Sequence, residues 1–216
     1  MKLNKDQIQQ VEDHLSQKGL KYVDIRYEVL DHMITDIEHL MESTDLSFSY
    51  ASENVFAKWN KNFVTRSSLW IGSGFSGPKI FIDNSVPLYK KMVMKIQYIA
   101  FAVTIGLGTI FNHFKILWSD YSQEITLIFK TTAVISLTIL LYWFYQIKKT
   151  KLQSSYSFLF TRSILLGSLT FGILSLTLFK EKLFIYAFII FGLWSGWLLY
   201  KNHMKSVSLY SSISST

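Results

Sequence analysis

Four apolar runs in the second half of the chain, 96–114, 125–147, 158–179 and 183–200, constrain the fold more than any other feature of the sequence. Each has the length that crosses about 30 Å of hydrocarbon at about 1.5 Å per residue. An amphipathic core would distribute its apolar residues along the whole chain, whereas here they are gathered in one half. The spacing therefore predicts four membrane-spanning helices joined by short connections, with neighbours antiparallel.

The charges between the runs set an orientation. Lys79, Lys90, Lys91 and Lys95 precede the first run, Lys148, Lys149 and Lys151 separate the second from the third, and Lys201 and Lys205 follow the fourth. The opposite side carries Lys115, Lys180 and Lys182 beside Asp120, Glu124 and Glu181. By the positive-inside rule this places both termini in the cytoplasm of a multi-pass inner-membrane protein in contact with lipid. The polar N-terminus has no apolar core of a signal peptide, so the first run would itself direct insertion.

The net charge of +7 hides an asymmetry. Residues 1–66 carry eleven acids against eight bases, while the remainder carries fourteen bases against four acids. The basic charges flank apolar runs and the polar domain is acidic, which argues against nucleic acid as a partner. With no cysteine, thiolate metal sites, disulfides and cysteine nucleophiles are excluded.

Within residues 1–66, three amphipathic helices are expected. The first covers 4–18, with Asn4 and Gln7 spaced as a capping box and Ile8, Val11 and Leu15 on one face; Gly19 ends it. The second covers Val23–Met41, with Val23, Tyr27, Leu30, Ile34, Ile37 and Met41 as its apolar stripe. The third covers Ser49–Phe63, burying Val55, Phe56, Trp59 and Phe63. Short helices of this kind bury their stripes against one another. The expected architecture is thus all-α: an acidic cytoplasmic three-helix bundle (1–66), a Gly/Pro-containing interfacial linker (67–94), a four-helix transmembrane bundle (95–202) and a disordered Ser-rich tail (203–216). In the linker, Leu69–Ile71 and Lys79–Ile82 are read as short extended or interfacial pieces, and Trp70, Phe75, Phe81 and Tyr89 as headgroup-level aromatics.

Few residues carry recognisable chemistry. Gly72, Gly74 and Gly77 satisfy GxGxxG, but Pro78 follows where a dinucleotide site requires a helix, so a flexible linker is the expected reading. Glu28, His32 and Asp36 recur every four residues, a spacing that can bind a divalent cation, with His14 or His39 as a further candidate ligand. A solvated, charge-paired face is the expected alternative, with no metal. Lys130 and Arg162 lie close enough to the ends of their runs to snorkel. The small-residue pairs Ala102–Gly106, Ser168–Gly172 and Gly192–Gly196 are expected at close helix contacts, within one chain or at a homo-oligomer seam.

The stretch from Tyr27 through Asp31, His32, Asp36 and Glu38, then Met41–Glu42, Ser47-Phe48-Ser49-Tyr50-Ala51 and Val55-Phe56, resembles the HAAS-type and permease-prefix domains of bacterial membrane proteins. The resemblance covers residues 5–63 and departs in lacking the usual Glu-Glu and closing Gly around the third helix. It implies a cytoplasmic signalling or regulatory domain and supplies no catalytic residues. The expectation is a non-enzymatic protein without a cofactor, binding another protein through Glu28, Asp31, His32, Asp36 and Glu38. An accessory or pore-forming transporter subunit is the alternative, and a lipid-directed enzyme would need polar groups that the apolar runs lack.

Overall fold

The computed structural model describes residues 2–71, 75–114, 122–165 and 183–214. The protein is mostly helical, in keeping with the all-α expectation. It divides into two compact units. One comprises Met1–Pro87, Leu152–Ser155 and Lys205–Thr216, the other Leu88–Lys151 and Tyr156–Met204.

The first unit begins with α1 (Lys5–Gln17), α2 (Val23–Thr44) and α3 (Phe48–Phe63). Asn4 Oδ1 accepts from the Gln7 amide and Gln7 Oε1 from the Asn4 amide, each at 2.9 Å, so the capping box closes. Gly19, at φ +76°, takes the left-handed turn that favours glycine after α1. Asp45 makes the same turn after α2, at φ 53°.

The buried face of α2 differs from the expected stripe. Ile25, Val29 and Met33 are buried along with Val23, Leu30, Ile37 and Met41, whereas Tyr27 is exposed and Ile34 only half-buried. The cause is that α2 packs against both α1 and α3. A helix between two neighbours buries a broader arc than one apolar stripe. On α3, Ala51, Ser52, Val55 and Phe63 are buried, and Phe56 and Trp59 are half-buried.

As far as Pro87, the segment expected as an interfacial linker belongs to this unit. β1 (Thr65–Ser67) pairs antiparallel with β2 (Ser76–Pro78), setting Thr65 opposite Pro78 and Arg66 opposite Gly77. Leu69–Ile71 is a single 3-10 turn with Ile71 buried. Lys79–Ile82 opens a helix, α4 (Lys79–Tyr89), rather than an extended piece. Phe81, expected at a headgroup layer, is fully buried: Tyr22 stacks on it at 3.8 Å and Phe75 meets it edge-on at 5.6 Å. The ring thus completes a protein core.

In the second unit, a π-helical turn (Lys90–Met94) leads into α5 (Lys95–Phe114), followed by α6 (Ser122–Lys149). After it, α7 (Ser155–Leu159) continues as a π-helical stretch, Phe160–Leu165, and α8 spans Leu183–Ser214. Leu140 of α6, Phe160 and Ile164, and Leu199 of α8 form the core. Trp143 stacks on Tyr200 at 5.8 Å, and buried His203 meets the Thr150 hydroxyl at 3.1 Å. The Ser-rich segment expected to be disordered is helical up to Ser214.

The expected multi-pass inner-membrane placement is overturned: among the described residues, no helix is long and apolar enough to cross a membrane. In α5, Gln97 and Asn112 bound a less polar stretch of 14 residues, about 21 Å long, short of a hydrocarbon core of about 30 Å. In α6, Lys130 and Gln146 bound 15 residues, about 23 Å. Reading these two runs through their interior polar groups overestimated their apolar length. The third run is described only as far as Leu165, and 166–182 lies outside the described residues. The assignment of sides from the lysines and the snorkelling of Arg162 lose their basis with the spans. Arg162 is half-buried in the π-helical stretch, and nothing is described of the Lys130 side chain.

Candidate functional site

The acidic residues of α2 divide into two sets according to what holds them. Asp24, in the first turn, is bound inside the first unit. Its carboxylate accepts from the Ser155 amide at 2.9 and 3.2 Å, and from the Ser155 hydroxyl in a short hydrogen bond. Beside it, the Gln153 carbonyl accepts from the Val23 amide at 2.8 Å, and Tyr22 bridges to Gln153. The chain thus returns after 131 residues to cap the start of α2, where the N-cap residue, Tyr22, makes no side-chain capping hydrogen bond.

Asp36 and Glu38, expected on a partner-binding face, are also held internally. Asp36 Oδ2 accepts from Lys58 Nζ at 2.9 Å and from Trp59 Nε1 at 3.1 Å, both on α3. Burial pushes its carboxyl up, but the Lys58 and Trp59 hydrogen bonds and the charges of Lys58 and His32 outweigh that and hold it below the ordinary carboxylate value. Glu38 Oε1 accepts from the Leu3 amide at 2.9 Å, tying the N-terminus to the second half of α2.

Glu28, Asp31 and His32 remain. All three are exposed, and the Glu28 and Asp31 carboxylates make no ion pair or hydrogen bond among the described residues. They lie three to four residues apart, within about one helical turn of one another. The expected Glu28–His32–Asp36 ridge is therefore interrupted, because Asp36 is engaged with α3.

His14 and His39 do not complete a metal site with His32. The His14 ring stacks on Phe56 at 3.9 Å and meets Phe63 edge-on at 6.3 Å, while His39 is exposed. Burial and then the Lys18 charge hold the His14 imidazole below its ordinary value, and its Nε2 has no hydrogen-bond partner among the described residues. Among the described residues, no group of three or more His, Cys, Asp or Glu side chains is placed to hold a metal ion. Of the GxGxxG glycines, Gly72 and Gly74 lie outside the described residues, and Gly77 sits in β2 against Phe75 and Phe81.

The small-residue pairs occupy different settings. Ser168 and Gly172 lie outside the described residues. Ala102 and Gly106 are exposed on α5, with nothing among the described residues within 4 Å of where a Gly106 Cβ would stand. Gly192 and Gly196 are buried on α8, and a Cβ at Gly196 would come within 2.9 Å of Leu140 Cδ2.

Sequence reasoning missed the Asp24–Ser155 cap. Its only local signal is a carboxylate in the first turn of α2, which many helices carry without a distant partner. Comparison with protein-family models, with curated proteins and with solved structures finds no match to this chain.

Proposed function

We propose that the chain is a non-enzymatic protein whose N-terminal helical unit is a protein-interaction or regulatory module. Its partner docks a basic surface on Glu28, Asp31 and His32. The observation that carries this reading is the division of labour along α2. Asp24, Asp36 and Glu38 are consumed by internal contacts, while Glu28 and Asp31 stand exposed without them. Exposed like charges a turn apart cost a helix a few tenths of a kcal/mol and contribute nothing to its own fold. Complementary charge on a partner turns that cost into orientation and a faster encounter. The resemblance of residues 5–63 to HAAS-type and permease-prefix domains supports a signalling or regulatory role for the same segment.

The test is salt-dependent co-purification with the full chain. Replacing Glu28 by Gln and Asp31 by Asn should leave the fold intact and lose the partner, and raising salt from about 0.05 to 0.5 M should weaken the wild-type complex, since screening shortens from above 10 Å to a few Å. A partner retained equally by wild type and double variant at both salt concentrations contradicts the reading.

A further inference from the structure

We propose that the outward face of α6 binds a second copy of this chain, the two α6 helices packing antiparallel. The inward face is accounted for within the unit: Ser136, Leu140 and Ile147 are buried, and Trp143 stacks on Tyr200. The outward face carries a line of large apolar side chains in the open. Leu127 is 64% exposed, Val134 65% and Tyr145 62%, with Ile135, Leu141 and Tyr142 also exposed. Thr131 and Thr138 fall on the same line. Their hydroxyls donate to the Leu127 and Val134 carbonyls one turn back, at 3.0 and 2.9 Å. Those hydroxyls are satisfied within the helix, so a dry contact along this line orphans neither. Contiguous apolar exposure of this extent, about 27 Å of helix from Leu127 to Tyr145, marks a surface meant to be covered.

The spacing indicates what covers it. Positions 127, 131, 134, 138, 141, 145 and 148 alternate steps of four and three, the 3.5-residue repeat of a helix seam that packs against another helix. One step further back, the register reaches Glu124, and at its other end the seam closes on exposed Lys148. The seam is therefore acidic by sequence at one end and basic at the other. Turned about its midpoint onto a second copy, position 124 meets 148, 127 meets 145, 131 meets 141 and 134 meets 138. Every pairing joins the two kinds of seam position, as antiparallel packing requires, and both ends bring an acid to a base. A parallel copy would set Glu124 against Glu124 and Lys148 against Lys148, which disfavours it.

The chain has no cysteine, so introduced thiols report the arrangement directly. Full-length Leu127→Cys and Tyr145→Cys proteins, mixed and oxidised, should yield a disulfide-linked heterodimer, while neither cross-links by itself. Light scattering should give two copies for the wild type. Lys148→Glu should raise the dissociation constant on the order of 10-fold, and adding Glu124→Lys in the same chain should restore it. The restored double variant separates loss of the contact from loss of the fold. A wild type of one copy up to about 100 μM overturns the proposal, as do cross-links formed within either single-cysteine sample. A one-copy protein that floats with phosphatidylcholine vesicles overturns it too, because lipid then covers the face.

Discussion

Gly106 and Gly196 were both expected at close helix contacts, yet their surroundings predict opposite responses to the same substitution. In a helix, Gly→Ala gains about 1 kcal/mol from backbone restriction alone. At Gly106 the new methyl group meets nothing within 4 Å among the described residues, so Gly106→Ala should stabilise by about that amount. At Gly196 it would stand 2.9 Å from Leu140 Cδ2, 3.4 Å from Phe160 Cε2 and 3.5 Å from Ile164 Cγ2. Carbon atoms pack at about 3.5–4.0 Å, and Leu140, Phe160 and Ile164 are all buried, so the leucine methyl has to turn aside within a packed core. Overpacking of this kind costs about 1–3 kcal/mol, which the propensity gain offsets by about 1, leaving Gly196→Ala between neutral and about 2 kcal/mol destabilising. Urea unfolding of the full chain followed by circular dichroism measures both. In a Leu140→Ala background the obstructing methyl is gone, and Gly196→Ala should become stabilising there. If Gly196→Ala stabilises the parent as much as Gly106→Ala does, or if Leu140→Ala leaves its effect unchanged, the packing argument is refuted.

Three further outcomes follow from the first unit. Asp24→Ala removes the acceptor of the Ser155 amide and hydroxyl and should destabilise by about 1–3 kcal/mol, with faster hydrogen exchange at the Ser155 amide; unchanged exchange would show that the cap does not hold in solution. Because folding lowers the His14 value, the unfolded chain binds a proton more readily below about pH 6.5, so stability is full above that pH and falls as pH drops toward the folded value. His14→Phe should flatten the unfolding midpoint measured between about pH 7.5 and 5.5. Asp36→Asn breaks a pair with Lys58, whose side chain is 62% exposed, so its loss should cost no more than about 1 kcal/mol in the same unfolding assay.

Much of the first unit was legible because its signals are local. The Asn4–Gln7 box, the Gly19 turn and the 3.6-residue spacing of Val11 and Leu15 are each complete within a few residues. What escaped depends on distant parts of the chain. Tyr27 has the spacing of a core residue, but the face that packs, from Ile25 through Val29, Met33 and Ile37, lies to one side of it. Phe81 looked interfacial because Tyr22, the ring that stacks on it, lies 59 positions away. The expected acidic face was right in composition, but no local pattern separates Glu28 and Asp31 from Asp36 and Glu38. Only the approach of Lys58, Trp59 and Leu3 does so. In the second half, apolar content was plain while the uninterrupted apolar length was not, because Gln97, Asn112, Lys130 and Gln146 punctuate runs whose average is apolar.

The central claim, that Glu28, Asp31 and His32 are a docking surface for a basic partner, is tested most directly by placing a photo-crosslinking residue at His32 in one protein and at Thr44 in another. Thr44 is an exposed position near the end of the same helix and outside the acidic cluster. The account predicts one discrete adduct from position 32 and none from 44, attached at a lysine- or arginine-rich segment of the partner. It also predicts that the adduct disappears when Glu28→Gln and Asp31→Asn are introduced. Equal labelling from both positions, or an adduct that survives the loss of both carboxylates, would contradict it.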